Sequence, residues 1–427
     1  MAPYMVIAVM ILMVIMFVLN KWPFGLVTMT CCAILGVTGC LGPTEFLSGL
    51  NNPFVIMLAS CFVVTNALAK TSFIHNVQKK VIQLQKGKSG ALLMAIFVIA
   101  TIVLVTFMPG PSYLALLIVM ANNLSDEGDV NPARVIFPAA VLTTLWNGRI
   151  PIGIGAGNFA ILNGFLEPYG EQYRVGMFDP MLAGLFPGIV LAVYAIFCYK
   201  LLPHKSIDRS GMEKVQQNDA DYVPQMSPLK EKITYLTFIV MIIMMVLNQI
   251  TGNLMYVGPA ACALFLIFAK VITVDEAKKS ITVDLIFMLV GIFTLTTALS
   301  STGAGNIVGS TIISLFGGAT TEFGLVALFA GITIIITNFM SNNASMYSMI
   351  PVAITTAIAA GVNPIPAVLA IDVAAKCSFI LPCSSGEAAM CFGASGYTPQ
   401  QTLKFAVPAI VIYYAALLLG MKLIFHI

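Results

Sequence analysis

The sequence repeats its own pattern after an offset of 231 or 232 residues, and both copies consist of apolar segments. Val130-Asn131-Pro132 returns as Val362-Asn363-Pro364, and Phe107-Met108 returns as Phe339-Met340. Prolines and glycines interrupt the apolar segments at corresponding places in the two copies. In a membrane protein, paired halves with matching interruptions are typical of a secondary transporter whose binding site lies where the interruptions meet.

The composition indicates that these segments lie in a lipid bilayer. Hydrophobic residues make up 59% of the 427 residues, charged residues make up 9%, and the mean hydropathy is +0.95. Because a soluble domain carries about a quarter charged residues, this chain cannot present a water-facing surface on all sides. Its apolar runs have the length of membrane-crossing helices, about 17 to 25 residues. We therefore predict an all-α integral membrane protein and not a transmembrane barrel, whose segments are shorter and alternate.

The order of apolar runs and polar gaps predicts about ten crossings and two re-entrant hairpins in two inverted repeats. The repeats cover residues 1–201 and 233–427, and the polar stretch 202–232 links them. In each repeat, three scaffold helices precede the transport elements, which are one hairpin and one interrupted helix. The predicted boundaries of scaffold and transport elements are 1–88 and 89–201 in the first repeat, and 233–317 and 318–427 in the second.

Each hairpin is predicted to turn back inside the membrane. The hairpins cover about 90–124 and 318–360, and their tips carry no charge. The alternative, two full crossings per hairpin, places these tips in solvated loops, where charged residues are usual; non-helical backbone at membrane depth is tolerated where protein or a cavity satisfies it. The interrupted crossings break at Asn147–Asn158 and Ser378–Ala389. An amphipathic connector, Lys70–Lys88, precedes the first hairpin, and a glycine-rich connector precedes the second.

The distribution of basic residues supports this threading, since Lys and Arg favour cytoplasmic loops. All but four of the 21 lysines and arginines fall on one side; the exceptions are Arg149, Arg174, Lys376 and Lys422. This bias predicts a multi-pass protein of the inner (cytoplasmic) membrane, with both termini outside and the linker 202–232 in the cytoplasm. The two hairpins then enter from opposite sides.

The tips and breaks are the places where binding chemistry is expected. Free backbone carbonyls at helix breaks bind small cations, and helix N-termini attract anions. The second tip and second break add hydroxyl, amide and carboxylate groups: Ser341, Asn342, Asn343, Ser345, Ser378, Ser384, Ser385 and Glu387. Small polar residues also serve close helix packing, but their clustering at corresponding breaks favours a site for sodium or a polar solute.

Several stretches of the second half match a known pattern: Phe339–Ser345, Met349–Pro351, Phe379–Gly386, Phe392–Tyr397 and Leu403–Pro408. On these residues the chain resembles the divalent anion/sodium symporter family, which includes dicarboxylate, citrate and sulfate permeases, and the resemblance covers almost the whole chain. The family motif at the tips is Ser-Asn-Thr. Ser341 and Asn342 keep it and Asn343 replaces the threonine, whereas Pro109-Gly110-Pro111 stands at the first tip with Ser112 as the nearest hydroxyl.

The resemblance implies an elevator-type transporter that takes up a small carboxylate or other oxyanion with sodium, works as a homodimer and has no further cofactor. The candidate substrate ligands are Ser341, Asn342, Asn343, Ser384, Ser385, Ser112 and Arg149. The candidate ligands of sodium or another coupling ion are Gly110, Asn147, Gly153, Asn338, Asn342, Cys383 and Glu387. We expect a small-molecule anion, sodium or a proton, and the lipid bilayer as partners, and no nucleic acid.

Four charged residues embedded in the second interrupted crossing and the first break form a separate group. Charges within membrane segments are costly and mark candidate functional sites. Arg149 suits bidentate binding of a carboxylate or sulfate. Asp372 and Lys376 are four residues apart, so they can pair on one helix face. Glu387 can bind a cation, carry a proton or neutralise Arg149 or Lys376; if unpaired, it favours proton coupling or a cationic or zwitterionic substrate.

Other functions find less support in the sequence. It contains no Walker loop, dinucleotide fingerprint or catalytic triad, and its nine cysteines and three histidines show no metal-ligand spacing. An embedded enzyme would need Ser384 or Ser385 as nucleophile with Lys376 as base, and we predict no enzyme. The alternatives that stay open are a channel, and an antiporter in which Glu387 or Asp372 titrates.

Overall fold

The computed structural model describes the whole chain except residues 1, 20, 47, 74–75, 77–79, 81–82, 85–86, 122–123, 126, 153–154, 156, 208–225, 247–253, 282, 316–320 and 383. In the first half the α-helices are α1 (Ala2–Leu19), α2 (Phe24–Val37), α3 (Pro43–Phe46), α4 (Ser48–Asn51), α5 (Pro53–Ala69), α6 (Gly90–Val105), α7 (Gly110–Ala121), α8 (Pro132–Trp146), α9 (Asn158–Leu166) and α10 (Asp179–Cys198). In the second half they are α11 (Pro228–Val246), α12 (Leu254–Phe268), α13 (Val274–Ser280), α14 (Val283–Ser301), α15 (Ala304–Leu315), α16 (Glu322–Thr337), α17 (Asn342–Ala359), α18 (Ile365–Ala375), α19 (Gly386–Ser395) and α20 (Pro399–Phe425).

The prediction of an all-helical membrane fold is confirmed, since the described residues form helices and no strand. By length and apolar composition, α1, α14, α20, and α10 with its 3₁₀ extension to Leu201, are able to cross a membrane. Within the described residues, seven shorter apolar helices have 10–17 residues. Two of them, α8 and α18, end at the breaks, and α6 and α16 end at the hairpin tips.

The repeated Asn-Pro dipeptide is a helix-start signal in both halves. Asn131 caps α8 by accepting a hydrogen bond from the Arg134 amide at 3.0 Å, and Pro132 is the first helical residue. In the second half, the Asn363 side chain accepts from the Ile365 amide at 3.1 Å as α18 begins. A side-chain oxygen that satisfies an unpaired amide, followed by a proline that needs no partner, fixes where each interrupted helix starts.

Glycines allow helices of the two halves to approach closely. Helix α2 packs on α14, and α12 packs on α5, so the second crossing of each half contacts the third crossing of the other. A Cβ at Gly291 of α14 would lie 2.5 Å from Thr28 Cβ, and a Cβ at Gly25 would lie 2.6 Å from the Asp284 carbonyl oxygen. Small residues at such crossings are typical of membrane helix packing.

Polar contacts join the C-terminal end of α5 to α13 of the second half. Lys70 Nζ lies 2.7 Å from Glu276 Oε1, and Asn66 Nδ2 donates to Ser280 Oγ at 2.6 Å. The hydrogen bond from Lys70 lowers the pKa of Glu276 to about 2, so this carboxyl group is ionised at neutral pH. Glu276 also completes the capping box of α13 with Thr273.

The glycine-rich connector expected before the second hairpin contains a regular helix, α15. A Cβ at Gly309 would lie 2.6 Å from the Thr355 carbonyl oxygen, so the glycines let α15 pack against α17. The glycines of this connector therefore serve helix packing. Much of the predicted connector 70–88 and of the linker 202–232 lies outside the described residues; the first linker residues contact the end of α19, where Tyr397 OH donates to the Pro203 carbonyl at 2.7 Å.

Candidate functional site

A cavity of about 330 Å³ lies where the broken helices and the second hairpin meet. Three helices begin at its wall: α9 at Asn158, α17 at Asn342 and α19 at Gly386. Two helices end there, α8 at Asn147 and α18 at Lys376. Helix N-termini carry partial positive charge and C-termini partial negative charge, so the wall offers complementary ends to an anion and to a cation.

The second hairpin tip lines this cavity with hydroxyl and amide groups. Ser341 caps α17 by accepting a hydrogen bond from the Ala344 amide at 3.2 Å. A serine that accepts through its oxygen still has its O–H to donate, so Ser341 is free to donate to an anion. Asn342 and Asn343 follow on the same wall, and Thr337 Oγ1 lies 3.2 Å from Asn342 Oδ1.

The second break is held in place by Asn338 and Ser384. The Asn338 side chain donates to the Cys377 carbonyl at 3.0 Å and accepts from the Ile380 amide at 3.0 Å. Ser384 is buried and its hydroxyl lies 2.7 Å from the Leu381 carbonyl oxygen. Both residues therefore shape the break, whereas Ser385, which caps α19 by accepting from the Ala388 amide at 3.0 Å, lines the cavity.

Two charged side chains of opposite sign line the cavity without pairing. Lys376 follows the last residue of α18, and Glu387 lies in the first turn of α19. Within the described residues, neither forms an ion pair within 4.0 Å or a side-chain hydrogen bond. Both side chains are partly exposed to the cavity. Because unpaired charges in a membrane segment are costly, they are expected to serve ligands.

Glu387 also contacts the first hairpin tip. A Cβ at Gly110 would lie 2.6 Å from Glu387 Oε1 and 3.1 Å from Asn147 Nδ2. A larger residue at the start of α7 would therefore require these two side chains to shift. Gly110 and Asn147 also line a neighbouring cavity of about 400 Å³, so the predicted coupling-ion residues Gly110, Asn147 and Glu387 lie together.

Arg149 lies apart from the cavity, in a buried ion pair. Its Nη1 donates to Asp372 Oδ2 at 2.5 Å and to the Pro180 carbonyl at 3.1 Å, and both side chains of the pair are at most 2% exposed. Asn158 Nδ2 lies 3.4 Å from each Asp372 carboxylate oxygen. Asp372 therefore pairs with Arg149 across the two breaks and not with Lys376, and the guanidinium group predicted to bind an anion is already neutralised.

The predicted site residues thus fall into three groups. Those that line the cavity are Asn147, Ser341, Asn342, Asn343, Ser385 and Glu387, with Gly110 beside them. Those that lie elsewhere are Asn338 and Ser384 in the break, Arg149 in its ion pair, and Ser112, which is exposed and lines neither cavity. Gly153 and Cys383 lie outside the described residues.

Sequence reasoning missed part of the cavity wall. The sequence indicates Lys376 only as a partner of Asp372 or Glu387 or as a catalytic base, and it gives no signal for Thr144, Asn158 and Tyr347, which also line the cavity. The position of Lys376 directly before the second break was the available signal.

Two hydroxyl groups that the sequence analysis named, Ser345 Oγ and Ser378 Oγ, are buried without a hydrogen-bond partner in the described part of the chain. In that same part, no cluster of His, Cys, Asp or Glu is suited to hold a metal ion.

Sequence comparison finds relatives among membrane transport proteins. A sequence model of the citrate transporter family matches residues 12–373. An uncharacterized transporter of Escherichia coli, YfbS, is 26% identical over 51% of this chain and 35% of its own length. A probable sodium/sulfate cotransporter 3 of Chlamydomonas reinhardtii is 30% identical over 44% of this chain and 21% of its own length. This chain therefore matches about a third or less of the length of these relatives.

Two solved transporters share the fold. The YdaH transporter of Alcanivorax borkumensis superposes with a TM-score of 0.62 over 96% of this chain and 97% of its own, at 13% sequence identity. MtrF of Neisseria gonorrhoeae, described as illuminating a class of antimetabolite efflux pumps, gives a TM-score of 0.60 over 91% of this chain and 83% of its own, also at 13% identity. At these identities the likeness concerns architecture.

Proposed function

Because the chain belongs to the citrate transporter family, whose relatives here are membrane transporters and not enzymes, we propose that it takes up a small carboxylate or other oxyanion together with sodium. The observation that carries this proposal is the unpaired Lys376 in a cavity where three helices begin. The cavity volume of about 330 Å³ is near the lower end of the range for ligand pockets, about 300–1,000 Å³, and suits a small metabolite.

The anion binds between Lys376 and the second hairpin tip. The ammonium group supplies a full positive charge, and the first turn of α17 supplies the partial charge of a helix N-terminus. Ser341 and Ser385 cap their helices through their oxygen atoms, so their O–H groups donate to the anion. Discontinuous helices that direct their N-termini at a substrate carboxylate are a recurrent device of secondary transporters.

Sodium binds beside Glu387. The Glu387 carboxylate supplies the negative charge, and α8 ends at Asn147 with the partial negative charge of a helix C-terminus. Hydroxyl, amide and carboxylate oxygens are the atoms that a hard cation prefers.

For alternating access we propose an elevator motion within a homodimer of the inner membrane. The hairpins and interrupted helices move together with α10 and α20, which pack on each other. The first three crossings of each half form the frame and the dimer contact. The motion breaks the hydrogen bond from Asn52 Nδ2 at the start of α5 to Glu167 Oε2, which measures 2.7 Å.

A second candidate is transport of a zwitterion, such as an amino acid. It is favoured by the presence of one unpaired positive and one unpaired negative side chain, Lys376 and Glu387, in the same cavity. A substrate ammonium group then takes the place of sodium at Glu387. Unlike an anion, such a substrate binds without sodium.

The test is thermal stabilisation of the purified protein by dicarboxylates, tricarboxylates, monocarboxylates, sulfate and amino acids, in sodium chloride or choline chloride. We expect one class of anion to raise the melting temperature in sodium and to have little effect in choline, because a ligand that binds only the folded protein stabilises it. Stabilisation by an amino acid in both salts supports the second candidate. If no compound acts in either salt, the symporter proposal is contradicted.

A further inference from the structure

We propose that Glu387 restricts the anion site to substrates with a single negative charge. The inference rests on the proposed function and names the substrate class of the same cavity. Glu387 then selects substrates by their charge, so it is a specificity-determining residue as well as a ligand of sodium.

The fixed charges that face the cavity cancel. Lys376 and Glu387 are the charged side chains of its wall, while Arg149 and Asp372 neutralise each other in their buried pair at 2.5 Å. A singly charged anion and one sodium ion add no net charge to this cavity. A dianion with one sodium ion leaves a net negative charge in a region of low dielectric constant, where an uncompensated charge is costly.

Because of the position of Glu387, an anionic group of the substrate is expected at the second hairpin tip and not at the first. Its carboxylate lies against the start of α7, where a Cβ at Gly110 would be 2.6 Å from Oε1. Pro109 and Pro111 have no backbone N–H, and Ser112 is exposed and lines neither cavity. At the first tip, the Glu387 carboxylate of α19 therefore lies where the second tip offers Ser341 and Asn342, so a second carboxylate of the substrate meets a like charge.

The size of this effect follows from Coulomb's law. Two like charges about 6 Å apart at an effective dielectric constant near 20 correspond to roughly a 100-fold difference in affinity. Sodium at Glu387 neutralises part of this repulsion. We therefore expect at least a tenfold preference for the singly charged member of a matched pair of anions.

The experiment measures dissociation constants in sodium chloride for three matched pairs: butyrate and succinate, lactate and malate, methanesulfonate and sulfate. At least one of these pairs is expected to bind. Within that pair, the unaltered protein should bind the singly charged anion at least tenfold more tightly than the doubly charged one. In Glu387→Gln this preference should fall at least tenfold, because the repelling charge is absent. Glu387→Asp keeps the charge and should keep the preference. Glu127→Gln, at an exposed position, is the matched control and should change nothing.

Two results overturn the proposal by different routes. If a dianion binds the unaltered protein as tightly as its singly charged partner, or if Glu387→Gln keeps the preference, charge selection by Glu387 is wrong while the symporter proposal stands. If no anion binds in sodium, both proposals fail together. Melting temperatures of the variants without ligand establish that each is folded.

Discussion

Replacing Lys376 by methionine is expected to weaken binding of the anion about 30-fold or more. Removing one partner from a desolvated charge pair costs about 2–5 kcal/mol, and each 1.4 kcal/mol is a tenfold change in affinity. Lys376 has no ion-pair partner among the described residues, so the ligand is its only partner in the proposed site. The same substitution should leave the ligand-free protein at least as stable as before, because it removes an unpaired charge from a membrane segment.

These two effects together distinguish a ligand-binding lysine from a structural one. The measurement is the melting temperature with and without a saturating anion in sodium chloride. Lys404→Met is the matched control, since Lys404 is exposed near the start of α20, and it should keep the full ligand-dependent shift. A Lys376→Met variant that melts lower without ligand but keeps the ligand-dependent shift would mean that Lys376 supports the fold and not the substrate.

The second large effect is expected at the buried pair of Arg149 and Asp372. Asp372→Asn leaves the Arg149 guanidinium, which is buried with its side chain 2% exposed, without a neutralising charge. Breaking one partner of a buried ion pair typically destabilises a protein by about 3–5 kcal/mol. We therefore expect a strong loss of stability in detergent, measured as a lower melting temperature or a lower midpoint of denaturation.

Two variants make this prediction specific. The double variant Arg149→Met with Asp372→Leu removes both charges and should recover much of the loss, because replacing a whole buried pair by apolar residues is often neutral. Asp129→Asn removes a carboxylate that is 46% exposed and lies 3.3 Å from Arg134 and 3.0 Å from Lys200. Because water screens exposed ion pairs, this substitution should lower stability much less than Asp372→Asn does. An Asp372→Asn protein as stable as the unaltered one would show that the pair contributes little.

The positions of the helix breaks could be predicted because they depend on local sequence. Prolines, glycines and Asn-Pro dipeptides act within one helical turn, so the repeat located both tips and both breaks. The predicted breaks at Asn147–Asn158 and Ser378–Ala389 correspond to gaps between α8 and α9 and between α18 and α19. Many residues of the cavity wall could be predicted in the same way, because the breaks that carry them meet in the structure.

The charge pairing could not be predicted, because it depends on contacts between distant segments. The four-residue spacing of Asp372 and Lys376 suggests a pair on one helix face, but α18 ends at Ala375. Lys376 is the C-cap residue of α18 at the edge of the break. Asp372 instead reaches Arg149, 223 residues away in the sequence. This long-range contact has no signature in the spacing, so Arg149 was expected at the ligand and Lys376 was not.

Uptake into proteoliposomes under an imposed sodium gradient tests most directly whether the cavity couples an anion to sodium. The labelled compound is the anion that gives the largest sodium-dependent stabilisation. We predict saturable accumulation above the external concentration when sodium is high outside, loss of accumulation when sodium is equal on both sides, and loss of uptake in Lys376→Met. Uptake that does not respond to the sodium gradient, or that rises linearly with concentration without saturation, would contradict sodium-coupled transport through this site.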